Sequence, residues 1–325
     1  MNNTLVKNLF DASKLQMLPT RDGYGKGLIK AGEKDERIVV LCADLAESTR
    51  SHWFKEKYPE RFIELGVAEQ NMATVAAGMA NYGKIPFVSS YAVFSPGRNN
   101  EQIRTTITLN NLPVKIAGAH AGISVGPDGA THQALEDIAL MRVQPRMVVL
   151  VPCDAIEAEK ATLAAAFNGS PTYIRLAREK SPVFTTEETS FEIGKAEIFY
   201  KGKNVTIIAC GSLVYEALLA AEQLKKEGIS AEVINNHTIK PIDKKTILTS
   251  VRKTGVAVTV EEHQTMGGMG SACAELFSEN YPVPVEMIGV RDRFGESGQP
   301  AELLEAFGLT HQNIIKAVKK VLKRK

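Results

Sequence analysis

The sequence predicts an α/β protein of two domains, each a mostly parallel sheet flanked by helices. Three observations lead there. At 325 residues the chain exceeds what one hydrophobic core usually organises. Short apolar runs of strand length alternate along it with segments of helical periodicity, the pattern of a parallel sheet covered on both faces. That alternation breaks once, over Glu179–Ile193, which is polar and rich in Pro and Thr. The expected division is therefore 1–180 for a first domain, 181–193 for a linker and 194–325 for a second, smaller domain.

In the first domain, Thr20 and Asp22 are placed to cap a helix running to about Gly32, although Gly23, Gly25 and Gly27 weaken it. Ile38–Ala43 is a buried strand ending at Asp44. The stretch Glu47-Ser-Thr49 and an aromatic segment around Trp53 and Phe54 follow. Past Arg61–Leu65 and Gly66, residues Ala68, Met72, Val75, Ala76 and Met79 recur at helical spacing, so Glu69 lies in the first turn of a helix. Pro86–Tyr91 is a strand with Phe94 beyond it. Ser95-Pro96-Gly97 opens a polar helix to Asn111, since Pro and Gly are tolerated at a helix start. Val114–Gly118 is the next strand. It enters a long Gly-rich loop, Ala119–Gln133, of a length that is usually functional inside a compact unit. Helix Ala134–Arg142, strand Val148–Val151, helix Asp154–Phe167 and strand Thr172–Leu176 complete the domain. Strands Val205–Cys210, Ala231–Asn235, Val256–Glu261 and Val285–Val290 build the second. Thr310 caps a last helix whose basic end, Lys316 to Arg324, complements the helix dipole.

Composition excludes several function classes. The net charge is +2 with both signs interspersed, which gives no case for nucleic acid or a membrane surface. No apolar stretch approaches bilayer-crossing length. The N-terminal residues lack the pattern of an export signal, so a cytoplasmic location is expected. Cys42, Cys153, Cys210 and Cys273 lie far apart without ligand spacing, which predicts buried reduced thiols and no metal site on this chain.

Two motifs tempt and fail. Met266-Gly-Gly-Met-Gly-Ser271 opens a helix after a strand, but its spacing is not that of a dinucleotide loop, and helix–strand packing accounts for the glycines. Gly122-Ile-Ser-Val-Gly126 matches the nucleophile elbow of serine hydrolases, yet Pro127-Asp128-Gly129 continues the loop where that elbow needs a helix. No phosphate-binding P-loop occurs. Glu69 itself has two readings. It either complements the helix dipole, for a few tenths of a kcal/mol, or is an ionisable group held in a cleft at a strand's carboxyl end.

Five segments, in order, carry a resemblance: Ala43-Asp44-Leu45, Gly66-Val-Ala-Glu-Gln70, Asp128-Gly-Ala-Thr-His-Gln133, Ile174-Arg-Leu-Ala-Arg178 and Phe294-Gly-Glu-Ser-Gly298. Together they resemble the C-terminal half of transketolase, comprising a pyrimidine-binding domain and a C-terminal domain. Asp128–Gln133 separates this group, with the deoxyxylulose phosphate synthases, from the β subunits of 2-oxoacid dehydrogenases. A complete transketolase also carries Gly-Asp-Gly, which helps hold the metal and diphosphate, and this sequence contains none. The resemblance therefore implies a split enzyme. An N-terminal transketolase subunit bearing that motif would supply Mg²⁺ or Ca²⁺ and the diphosphate site, and two copies of each subunit would assemble. It leaves open a subunit of another thiamine-diphosphate enzyme, or a non-catalytic partner of the same fold.

The roles it implies can be placed residue by residue. Glu69 meets the ring nitrogen N1′ of thiamine diphosphate and shares the proton that activates the cofactor. Phe94, with Tyr91 beside it, offers aromatic surface to the pyrimidine, and Asp44 lies near the cofactor across the interface. Arg21 and Arg178 bind the phosphate of a phosphorylated sugar with forked donors. Ser48, His120 and Asp128 line the substrate channel. His132 contacts sugar hydroxyls and moves protons near neutral pH. Arg98 is cationic near the cofactor face, but the spacing after Phe94 differs from most of the family, so it is given no role. Phe294–Gly298 receives none either.

Overall fold

The computed structural model describes residues 2–325. The strands are β1 (Gln16–Leu18), β2 (Ile38–Cys42), β3 (Phe62–Glu64), β4 (Ile85–Tyr91), β5 (Lys115–Ala119), β6 (Val148–Leu150) and β7 (Thr172–Arg175). They continue with β8 (Ser181–Val183), β9 (Glu197–Tyr200), β10 (Val205–Ala209), β11 (Ala231–Asn235), β12 (Thr238–Lys240), β13 (Ala257–Gln264) and β14 (Val285–Val290). The continuously apolar runs became inner strands buried on both faces: β2, β5 and β10 are buried at every position. That is the burial expected of parallel sheets under helices.

A seven-stranded sheet has the order β12-β6-β7-β5-β4-β2-β3 and a five-stranded sheet the order β14-β13-β10-β11-β9. The first is parallel except where β12 joins antiparallel to β6. In the second, β9 alone runs antiparallel. The chain leaves β2 for β3 on one side and then crosses back to β4 on the other. That reversal makes the carboxyl ends of β2 and β4 the crevice where open α/β sheets bind ligands.

Several elements differ from the sequence expectation, each for a traceable reason. Thr20 is the first helical residue and does not cap. The helix spans Thr20–Lys34 behind Pro19, and the Thr20 hydroxyl instead accepts from the Ala177 amide at 2.7 Å. Asp22 pairs with Arg50 at 2.7 Å. The glycines in this helix are packing residues. A Cβ at Gly27 would sit 2.6 Å from that of Thr162, and one at Gly23 would strike the Ala155 carbonyl, both in the facing helix Ala155–Phe167. Helix begins only at Asn100, because Ser95 and Asn99 spend their side chains on a turn that docks on the Glu69 helix, and it widens to a π-helix over Ile103–Thr108, ending short of Asn111. The segment after Glu179 is not featureless: β8 pairs antiparallel with β1. Thr310 stands at the cap position of the last helix, but its hydroxyl donates to Asn313 Oδ1 at 2.7 Å and accepts from no helical amide.

The strand β12 lies in the second domain's sequence yet completes the first domain's sheet. Apolar packing crosses the same boundary. Val149 and Val151 share a core with Ile208, Ile234 and Ile247, while Leu9, Ile123 and Leu135 pack with Val258, Leu303 and Ile314. All four cysteines are free and buried. No helix among the described residues is long and apolar enough to cross a membrane.

Candidate active site

The carboxyl ends of the parallel strands bring the candidate residues together. Asp44 follows β2, Glu69 comes after β3, Tyr91 ends β4, His120 follows β5 and Arg178 follows β7. This is the physical consequence of a parallel sheet, in which every strand delivers its next loop to the same rim.

Glu69 is the first residue of helix Glu69–Asn81 and only 1% exposed. Gly66, at φ +68°, turns the chain into it. Its carboxylate accepts from the Ser90 hydroxyl at 3.1 Å and from Arg98 at 2.7 Å. Asn99 donates to the Glu69 backbone carbonyl at 3.0 Å. A dipole-complementing residue has no need of burial beneath a strand serine and an arginine. A carboxylate offers about four acceptor positions, so these two side-chain donors do not exhaust its hydrogen-bonding capacity. Arg98, set aside in the sequence, is thus a direct partner of Glu69. Its guanidinium also lies 4.8 Å from the Phe94 ring, and its side chain remains 46% exposed. The signal that could have found it was its helical-turn offset from Phe94, since the Arg98 amide donates to the Phe94 carbonyl.

From Phe94 the cluster continues through aromatic contacts. Phe94 and Tyr91 are stacked with ring centres 5.9 Å apart. Tyr91 is stacked in turn on His120 at 3.8 Å, and His132 meets the Phe94 ring edge-on at 5.4 Å. His120 covers one face of Tyr91, so Phe94 is the better placed surface for a planar ring. His132 Nδ1 pairs with the Thr131 hydroxyl at 2.9 Å, fixing the imidazole from its own loop.

His120 has φ +55° and is nearly fully buried. Burial, with the charges of Arg21, Arg178 and Arg50, pushes its pKa down to about 2, so it is a neutral imidazole at physiological pH. Arg21 reaches the Ser48 carbonyl at 2.8 Å and His120 Nε2 at 3.4 Å. Its pKa is lowered by burial and then by Arg50, and its buried Nε has no partner. Ser48 thus enters the cluster through its backbone. Arg178 donates to the Val125 carbonyl at 2.5 Å and lies 3.8 Å from Asp128. Three arginines thus surround a neutral histidine, Arg50 paired with Asp22 and Arg178 near Asp128 and Glu179, while Arg21 keeps an unsatisfied donor.

Asp44 stands apart. It is exposed at φ +58°, and only its amide is engaged, by Glu64 Oε1 at 2.7 Å. The same Glu64 oxygen accepts from the Gly66 amide at 3.1 Å, so Glu64, unnoticed in the sequence, ties the β2 rim to the Glu69 turn.

Both tempting motifs resolve structurally. The N-terminus of helix Met269–Asn280, where a dinucleotide phosphate would bind, is filled by Glu261, whose carboxylate accepts from the Met269 and Gly270 amides at 2.6 and 2.7 Å. Ser124 lies in a short 3-10 turn, Ile123–Val125, and its amide donates to Glu262 at 2.6 Å.

Comparison with known proteins gives the family and the fold. The family "Transketolase, pyrimidine binding domain" matches residues 16–183, and "Transketolase, C-terminal domain" matches residues 194–314. A putative transketolase C-terminal section of Methanocaldococcus jannaschii is 45% identical over 307 residues, covering 94% of this chain and 96% of that protein. A 6-deoxy-6-sulfo-D-fructose transketolase subunit of Clostridium sp. is 43% identical over 312 residues, covering 96% and 97%. Among solved structures, a split gene transketolase, described as an inactive beta4 tetramer, superposes with a TM-score of 0.89 at 47% identity, covering 94% of this chain and 99% of that one.

Proposed function

Because this chain belongs to the transketolase family, we propose that it is the C-terminal subunit of a split, thiamine-diphosphate-dependent transketolase that moves a two-carbon ketol unit between phosphorylated sugars. The observation that carries the proposal is Glu69, a carboxylate 1% exposed in a first helical turn, beside an aromatic face and at the sheet's ligand crevice. The donor set suits one end of the cofactor. A buried carboxylate and Phe94 fit an aminopyrimidine. For the metal and diphosphate, by contrast, the sequence has no Gly-Asp-Gly, and no group of three metal-ligating side chains occurs among the described residues. An N-terminal subunit would hold that end, with two copies of each subunit in the complex.

Thiamine diphosphate, when bound, supplies an acidic thiazolium C–H and an electron sink for the transferred unit. The rest falls to this chain. Glu69 holds or gives the proton at the pyrimidine ring nitrogen, and Ser90 and Arg98 fix its orientation. Phe94 presents a flat apolar surface. His132, fixed through Thr131, would exchange a proton with a sugar hydroxyl. His120, held neutral, can donate or accept one hydrogen bond without adding charge. Arg21 and Arg178, with Arg50 behind them, hold the anionic end of the sugar. Their forks suit a sulfonate as well as a phosphate, and the Clostridium relative gives the sulfonate reading its one specific support.

Two experiments test this. The purified chain with thiamine diphosphate and Mg²⁺ is expected to show no ketol transfer, and adding an N-terminal subunit should create it. Substantial transfer by the single chain would contradict the proposal. In the reconstituted enzyme, Arg21→Ala or Arg178→Ala should each remove a charge-assisted contact of about 1.5–3 kcal/mol, raising KM for phosphorylated sugars by roughly 10- to 150-fold. Hydroxypyruvate, which has no phosphate, should be affected far less. Equal losses on both substrates would assign these arginines to structure.

A further inference from the structure

The segment Phe294–Gly298 and Glu262 lie in the second domain, and neither has a role in the reading above. Both press on the Ala119–Gln133 loop, which carries His120, Asp128 and His132. That loop has little regular structure to hold it: a 3-10 turn, one bridge between Ala121 and Ala134, and backbone at positive φ at Gly122, Gly126 and Gly129. At each of these glycines the second domain occupies the space a side chain would take. A Cβ at Gly122 would strike the Glu262 carboxylate, one at Gly126 would lie 3.1 Å from Pro300, and one at Gly129 would meet Ser297 Oγ at 2.5 Å. Polar contacts repeat the pattern. Glu262 Oε1 accepts from the Ser124 amide at 2.6 Å. The Gln133 side-chain amide donates to the Ile123 and Gly126 carbonyls and across the domain boundary to the Glu296 carbonyl at 3.0 Å. A Cβ at Gly295 would displace the Gln133 side chain.

We infer that Glu262, Gln133 and the 294–298 segment are positioning residues: the second domain forms a mould against which the substrate loop sets, fixing His120, Asp128 and His132 without touching substrate. The inference rests on the assignment of 119–133 as the substrate loop, but its first test does not require activity. Amide hydrogen exchange is measured on the full single chain for wild type, Glu262→Leu, Glu262→Gln and Gln133→Leu. Glu262→Gln keeps an oxygen for the Ser124 amide and should behave nearly as wild type. Glu262→Leu and Gln133→Leu should each raise exchange within 119–133 by at least tenfold, with the Glu69 helix unchanged. If one leucine variant does not fold, the other carries the test. Unchanged loop exchange in a folded leucine variant overturns the inference. In the enzyme reconstituted with an N-terminal subunit, the leucine variants should raise sugar-phosphate KM by roughly tenfold or more, while C2–H/D exchange of bound thiamine diphosphate stays at the wild-type rate. A fall in both would mean a general structural role and overturn it too. Absence of ketol transfer in the wild-type complex would defeat the functional proposal alone, leaving the exchange result to judge the loop.

Discussion

Glu69→Gln is expected to lower ketol transfer by about 10²–10⁴-fold, the usual reach of a lost general acid–base group, with folding and assembly nearly unchanged. The local chemistry allows such a separation. Glutamine has the same size, and its oxygen can accept from Arg98, now at 2.7 Å, while its NH₂ donates to the Ser90 hydroxyl, now a donor at 3.1 Å. The buried pocket thus keeps its partners. What disappears is the ability to exchange a proton with the pyrimidine nitrogen. The decisive measurement is C2–H/D exchange of thiamine diphosphate in the reconstituted enzyme, which isolates cofactor activation from sugar binding. If Glu69 served only the helix dipole, the change would cost a few tenths of a kcal/mol in stability and leave exchange untouched.

Arg175→Met is expected to have the largest effect on stability. Arg175 and Asp137 are both buried and bonded twice, at 2.8 and 3.3 Å. Burial works against the charge of both. Asp137 nonetheless holds the guanidinium's pKa above its ordinary value, and Arg175 keeps the carboxyl below its own. Arg175 also donates to the Glu262 carbonyl in the other domain at 2.8 Å, and Tyr173 donates to Asp137 at 2.6 Å. Removing the cation strands a buried carboxylate, at a cost of about 3–5 kcal/mol. Chemical denaturation should show this as a lowered midpoint. Arg175→Met combined with Asp137→Asn should recover a large part of the loss, because the uncharged pair strands no charge and the asparagine oxygen still accepts from Tyr173. A double variant as unstable as the single one would show that the loss comes from packing or from the interdomain bond.

The contrast between Arg175 and Arg178 shows what the sequence could disclose. Both stand in Ile174-Arg-Leu-Ala-Arg178 with nothing local to tell them apart. Arg175 is the last residue of β7 and turns into the domain seam, whereas Arg178 lies beyond the strand's end, on the rim. Glu69 was legible because apolar periodicity fixed its helix and a strand preceded it. The inner strands were legible because burial on both faces demands uninterrupted apolar runs. The Glu262–Ser124 and Gln133–Glu296 bonds were not, since no local pattern encodes partners more than a hundred residues apart. The three-residue strands β1, β8 and β12 escaped for a related reason. They are too short for periodicity and exist only because a neighbour's edge offers them hydrogen bonds.

The strand β12 also bears on how the molecule could ever be taken apart. A chain cut after the first family match would keep β6 but lose its outer neighbour, baring the amides and carbonyls of Val148–Leu150 on an apolar edge. Such an edge is a template for intermolecular pairing. The first matched unit is therefore expected not to fold independently: heating should melt the chain in one transition, and the excised first module should aggregate.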